Sequence, residues 1–352
     1  MGRYWDSEWL GGRKYKETVI ETGATGFIGL HCLQQLLDKG YKVRTTIRSE
    51  SRKQEVMDAM KKHSSNCENL EFFIADLLND DGWKEAVEGS KYVLHVASPF
   101  FLGEPENEDV FIKPAVEGTL RVLKACADAD VQKVVLTSSF AAVGYGHSRE
   151  KEVYTEEDWS SVDGEISPYA KSKTLAEKAA WEFVENLEES KKFELTVINP
   201  VAVTGPMLTS DIGSSNDFLL KLISGSMPAC PKIHMGYIDV RDVAKAHIFS
   251  MTEEKTNGER IIVSENEMFF AEVGKTLNEA GFKKSPTKEM PNFLVKIMSL
   301  FVGELKTLLS ALNRKGDIDK TKAKSFFNWD YISTEQSVTE TAQQLQDMGL
   351  TK

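Results

Sequence analysis

The chain has 352 residues, enough for one large domain or two around a sizeable core. Its net charge of -11, with both signs mixed along the chain, argues against non-specific nucleic-acid binding. The four cysteines, Cys32, Cys67, Cys126 and Cys230, are scattered without a CxxC pair; they read as reduced thiols of a cytoplasmic protein rather than a disulfide framework or a metal site.

Residues 1–17, with Trp5 and Trp9, are expected to form an N-terminal arm ahead of the first strand. The opening is too polar for a secretory signal, and Asp6 breaks the myristoylation pattern. A short apolar run, 18–22, then meets Gly23, Gly26 and Gly29 at three-residue intervals, and a helical face follows through Ile28, Cys32, Leu33, Leu36 and Leu37. Strand, glycine turn and helix is the layout of a dinucleotide site. The first glycine permits a tight turn, the second lets backbone approach a pyrophosphate, and the third lets helix and strand pack closely.

Further strands are expected at Lys42–Ile47, Leu70–Ala75, Tyr92–Val96, Lys133–Thr137 and Glu194–Ile198. Helices alternate with them, at 51–63, 83–89, 107–129 and 168–189. This alternation predicts an α/β fold with a doubly wound, Rossmann-type parallel sheet over 18–200. After Pro200 the pattern loosens. A strand-like Arg260–Val263, a helix near 271–281 and helical sequence over 291–312 suggest that 201–352 is mainly a smaller C-terminal substrate lobe, with some segments returning to the core. The apolar run Phe293–Val302 is broken by Lys296 and is too short to span a membrane.

Arg48 follows the second strand where an NAD enzyme usually carries an acidic residue for the ribose hydroxyl, and Arg52 lies one helical turn on. A guanidinium suits a 2′-phosphate, so NADP(H) is favoured; surface charge is the other reading of both arginines, and Glu50 lies close by. Asp76, ending the third strand, suits an adenine amino group or an N-cap for the next helix. Tyr169 and Lys173 are spaced i, i+4 on a helix opened by Ser167 and Pro168, so they share a face. An ammonium beside a phenol favours the phenolate, which equips such a tyrosine to exchange a proton with a carbonyl oxygen. The spacing alone is expected about once by chance in a chain like this one. Ser138 and Ser139 follow the fifth strand, where a hydroxyl can hold the reacting oxygen or simply end a turn.

Several ordered stretches, read together, resemble the extended short-chain dehydrogenase/reductase family. They are Thr22–Gly29, Val43–Arg48, His95–Pro99, Leu136–Ser139, Tyr169–Lys178, Asn199–Pro206 and Tyr237–His247. Within it the chain looks most like the branch of dihydroflavonol reductases, cinnamoyl-CoA reductases and yeast-type NADPH aldehyde/ketone reductases. The resemblance implies a catalytic set of Ser139, Tyr169 as proton donor, and Lys173. It also implies a cofactor surface of Gly23, Thr25, Gly26, Phe27, Ile28, Arg48, Arg52, Asp76, Leu77, Val96, Ala97, Ser98, Thr137, Tyr169, Lys173, Pro200 and Val203. Phe100, Phe101, Phe140 and Tyr237 are candidates for an apolar substrate pocket, and each also suits a core; the loop 205–218 is expected to shape that pocket. Two residues depart from the family pattern: Glu21, where an apolar or small residue is usual, and Glu117, where an asparagine commonly supports the lysine through a water.

The expected activity is NADPH-dependent reduction of an aldehyde or ketone, by a monomer or homodimer with a small-molecule partner and no membrane or nucleic-acid partner. Residues 165–168 match neither the flavonoid nor the cinnamoyl-CoA signature, which favours a general carbonyl substrate. Alternatives are a sugar-nucleotide epimerase or dehydratase, which would hold NAD and favour an acidic residue near 48, a 3β-hydroxysteroid dehydrogenase, and an NADP-binding regulator without turnover.

Overall fold

A computed structural model describes residues 17–64, 66–99, 107–148, 150–301 and 309–351. Trp5, Trp9, Phe100 and Phe101 lie outside the described residues. The first half of the chain alternates strand and helix as the sequence predicts. It runs β1 (Thr18–Thr22), α1 (Phe27–Asp38), β2 (Lys42–Ile47), α2 (Lys53–His63), β3 (Leu70–Ile74), α3 (Trp83–Val87), β4 (Tyr92–His95), α4 (Asp109–Ala127) and β5 (Lys133–Thr137). There follow β6 (Val153–Tyr154), α5 (Pro168–Glu185), β7 (Glu194–Pro200), β8 (Ala202–Thr204), α6 (Ser214–Ser224), β9 (His234–Asp239), α7 (Val240–Thr252), β10 (Arg260–Val263), β11 (Asn266–Phe269), α8 (Phe270–Glu279), α9 (Asn292–Met298) and β12 (Asp317–Ile318). A helix at Thr334–Asp347 lies near the C-terminus.

Seven strands form one sheet in the order β10-β7-β5-β4-β1-β2-β3, and every neighbouring pair in it is parallel. Alternation along the strands divides the core. Val19, Val43, Leu94, Val135 and Ile198 face Leu33, Leu36 and Leu37 of α1 and Val243 of α7. Ile20, Val93, Val134 and Val197 face Val122, Leu123 and Cys126 of α4 and Ala180 of α5. Each fully buried side chain of this size contributes about 1.5–3 kcal/mol relative to exposure. The sheet needs cover on both faces because its strands are apolar on both.

A third core cluster lies beyond β7. Leu219 and Leu222 of α6, Tyr237 of β9, Val273 and Leu277 of α8 and Val338, Ala342 and Leu345 of the C-terminal helix pack together. Beside it β8 pairs in parallel with β9, and β9 antiparallel with β11. Because the large sheet is parallel, all its carboxyl ends open on one edge. Strand order reverses between β1 and β4, which places the ligand crevice of such a sheet outside these two strands.

Candidate active site

The glycine turn is built at that reversal point. Gly23 has φ +101°, and a Cβ on it would lie 2.9 Å from the Ala97 amide nitrogen, so only glycine lets the β1 and β4 ends meet. A Cβ on Gly29 would overlap the Gly23 carbonyl oxygen, which explains the third glycine as a helix–strand contact. A Cβ on Gly26 would meet only the Gly23 oxygen, at 3.4 Å. Space is therefore left over the start of α1, whose N-cap carries no side-chain bond and whose first turn carries no acid. Thr25, Phe27 and Ile28 are half-buried around that free N-terminus. Unpaired N–H groups and the helix dipole together suit a pyrophosphate.

Arg48 is exposed immediately after β2 and has no hydrogen bond or ion pair among the described residues. Arg52 is engaged, its Nε donating to Glu55 at 2.7 Å, while Glu50 pairs with Lys53 at 3.1 Å. Arg48 is thus the guanidinium left open to a phosphate. Asp76 stands past β3, but its carboxylate accepts the Leu78 amide at 3.0 Å in a turn. It is no N-cap: α3 begins later, behind Gly82. Leu77 is buried against Gly118, and its carbonyl is taken by Arg121.

The catalytic candidates sit further along the same edge. Ser167 caps α5, accepting the Ala170 amide at 3.2 Å, and Pro168 opens the helix. Tyr169, 37% exposed, and Lys173 then stand one turn apart, with Lys173 Nζ 6.0 Å from the phenol ring centre. Lys173 Nζ donates to Ser98 Oγ at 3.0 Å, beyond the end of β4. Val96, Ala97 and Ser98 line the half-buried stretch between this lysine and the glycine turn. The two serines are not equivalent. Ser138 is buried and its hydroxyl is spent on the Glu177 carboxylate. Among the described residues Ser139 Oγ accepts only the Ala141 amide, at 3.1 Å, which leaves its proton free to be donated.

Three candidate side chains are turned inward. Thr137 Oγ1 bonds His247 Nε2 at 2.6 Å inside the fold, so only its backbone remains toward a cofactor. Tyr237 is 1% exposed in the third core cluster rather than on a pocket wall, its partners being apolar. Phe140 makes edge contacts with Tyr145 and Tyr154 at 6.4 and 5.6 Å. Pro200 is buried at the end of β7, and Val203 is buried in the middle of β8.

Other polar residues around the edge were not evident in the sequence. Thr22 Oγ1 accepts the Ala97 amide at 3.1 Å and is hydrogen-bonded to His95 Nδ1 at 2.9 Å. Burial, and then the nearby Lys173, pull His95 down to about 3, so it stays neutral and adds no charge beside the lysine. The segment 204–207 is held by distant side chains. Thr204 bonds Ser337, the Gly205 amide donates to Thr341, and Met207 exchanges two 2.7 Å bonds with the Gln344 amide. His31 of α1 bonds the Pro206 carbonyl at 2.8 Å. Glu117 is exposed on α4, and the hydrogen bond of Lys173 goes to Ser98. Glu21 is fully buried, with Thr45 Oγ1 at 2.9 Å from Oε2 and no partner for Oε1; burial raises its carboxyl to about 8, the Thr45 bond opposing this.

Residues 20–298 match the model of the 3-beta hydroxysteroid dehydrogenase/isomerase family. The chain belongs to this family. Within it, the NADPH-dependent methylglyoxal reductase GRE2 of Saccharomyces cerevisiae is 32% identical over 93% of the chain and 98% of its own length. The cinnamoyl-CoA reductase CAD2 of Medicago truncatula is 36% identical over 74% of the chain and 80% of its own. Among solved structures, yeast methylglyoxal/isovaleraldehyde reductase Gre2 complexed with NADPH superposes with a TM-score of 0.79 at 29% identity, covering 95% and 99% of the two chains. Alfalfa vestitone reductase gives 0.74 at 26% identity, covering 95% and 100%. The family is thus of the extended short-chain dehydrogenase/reductase kind, and the Rossmann-type sheet is shared throughout. No helix among the described residues is long and apolar enough to cross a membrane.

Proposed function

We propose that this chain is an NADP-dependent oxidoreductase that reduces the carbonyl group of a small aldehyde or ketone. The observation that carries the reading is the Tyr169–Lys173 pair, anchored to Ser98 and set on the same sheet edge as the open glycine turn. NADPH fits the residues present: Gly26 leaves room for a pyrophosphate, and Arg48 is unpaired for a 2′-phosphate. When bound it supplies a hydride to the carbonyl carbon. Ser139 donates a hydrogen bond to the carbonyl oxygen and holds it toward the phenol. Tyr169 gives its proton to that oxygen as negative charge develops, yielding the alcohol. Lys173, held by Ser98, keeps a positive charge beside the phenolate that remains, and binds the nicotinamide ribose.

The substrates named for the relatives supply the first assays, methylglyoxal and isovaleraldehyde, followed by aromatic aldehydes and ketones. Expected are NADPH oxidation with at least one of these, weaker turnover with NADH, and a kcat loss on the order of 10²–10⁴ in Tyr169→Phe. NADPH binding without turnover across the panel would replace this reading with a cofactor-binding regulator.

A further inference from the structure

Below the catalytic edge lies a buried polar network that the mechanism does not use. Its centre is Glu177, the third member of an i, i+4, i+8 series with Tyr169 and Lys173 on α5. Its side chain is wholly buried. Oε2 accepts from Ser138 Oγ and, at 2.7 Å, from Asn199 Nδ2; Oε1 is ion-paired with Arg260 Nε. Asn199 Nδ2 also donates to the Ser139 carbonyl at 3.2 Å. Arg260 lies over the Trp159 ring at 3.6 Å, and its Nη1 donates to the carbonyls of Glu156 and Asp158. Two residues on, Ser160 Oγ donates to the Ala141 carbonyl and accepts the Tyr145 amide, each at 2.8 Å. The turn that carries Ser139 is therefore fixed on both sides from one carboxylate.

We infer that Glu177 is a positioning residue for Ser139. It joins the helix bearing Tyr169 and Lys173 to the end of β5, and so sets the separation between the serine hydroxyl and the phenol. A carboxylate suits this place because two oxygens must accept from three separate elements: β5, β7 and β10. Its burial is sustained by the ion pair and by hydrogen bonds filling the remaining acceptor positions. The inference rests on the roles given to Ser139 and Tyr169 above.

Two variants test it. Glu177→Gln leaves one acceptor oxygen where there were two, so either Arg260 or the Ser138–Asn199 pair loses its partner. Asn199→Ala cuts the ties to the Ser139 carbonyl and to Glu177 Oε2 but leaves the Glu177–Arg260 ion pair intact. With methylglyoxal as the probe, kcat per bound NADPH should fall on the order of 10- to 100-fold in both variants, the cost of a misplaced reacting group. The NADPH Kd should stay within about twofold of wild type, since no cofactor contact changes. Amide exchange over 138–144 should accelerate in both. Unchanged kcat per NADPH site would overturn the inference, as would a loss that tracks only the fraction of folded protein. If Glu177→Gln does not fold, Asn199→Ala decides. If wild-type protein reduces no carbonyl, the functional reading falls, and exchange over 138–144 judges the positioning role: unaltered rates overturn it.

Discussion

Arg48, exposed after β2 and unpaired among the described residues, is the residue we propose to set cofactor choice. A charge-assisted contact to a phosphate is worth about 1.5–3 kcal/mol. Arg48→Ala should weaken NADPH roughly 10- to 150-fold and leave NADH nearly unchanged. The comparison of kcat/KM for both cofactors reads this directly, and Arg52 freed from Glu55 is the residue able to recover part of the loss. Glu21 makes a different kind of prediction. Its carboxyl titrates near the ordinary carboxylate value when unfolded and at about 8 when buried, so the folded protein binds the extra proton between those values. Its stabilising effect is complete below the unfolded pKa and is lost as pH rises toward 8. Glu21→Gln keeps the shape without the titration. The variant should gain stability over wild type as pH rises from about 5 to 8, by roughly 3–5 kcal/mol at the alkaline end. Urea midpoints across that pH range check it; parallel curves for the two proteins would show that Glu21 carries no such linkage.

At the scale of elements, the β1–turn–α1 unit separates fold from ligand. Gly29→Ala drives a methyl into backbone that has nowhere to go, 2.7 Å from Glu21 Oε1 as well. It should cost about 1–3 kcal/mol or more of stability. Gly26 has φ -99°, ordinary for any residue, and open space beside it. Gly26→Ala should leave the melting temperature almost unchanged yet weaken NADPH roughly 5- to 150-fold, because the methyl fills the pyrophosphate approach. This unit was legible in the sequence because glycine spacing, strand alternation and helical periodicity agreed there, and β2, β5 and the start of α5 were legible for the same reason. The short strands β8, β9 and β11 were not, since three to six residues give alternation little length to show itself. The helix Thr334–Asp347 also escaped notice. Only Val338, Ala342 and Leu345 give it an apolar stripe, and its other buried residues are Thr334, Ser337 and Thr341. Tyr237, which as an aromatic residue near a motif suits a pocket wall and a core equally well in the sequence, is a core residue in the structure. The serine choice, by contrast, gains a physical reason that sequence could not supply: Ser138 is bound to Glu177, 39 positions away.

Over the whole molecule, the C-terminal helix is joined to β8, an edge strand of the three-stranded sheet, and to the residues after it by polar contacts as well as by apolar packing. Gln344 satisfies both backbone groups of Met207, as a neighbouring strand would. Gln344→Ala removes two hydrogen bonds of about 0.5–1.5 kcal/mol each. The urea midpoint should drop accordingly with no change in slope, because the same surface is exposed on unfolding. A changed slope would mean that the helix detaches as a separate unit. His31 extends the connection to α1, so the cofactor helix and the segment 204–207 share a hydrogen bond across 175 positions.

That clamp has a consequence for the order in which the molecule is made. Met207 leaves the ribosome 137 residues before Gln344. At roughly 5–20 residues per second, the segment waits about 7–27 s with its backbone groups exposed to water and to other nascent chains. The glycine turn, Arg48 and Tyr169 are all synthesised before that interval begins. The sheet that carries them is completed only during the wait, because α7, which covers one of its faces, and β10, its last strand, both follow Met207 in the chain.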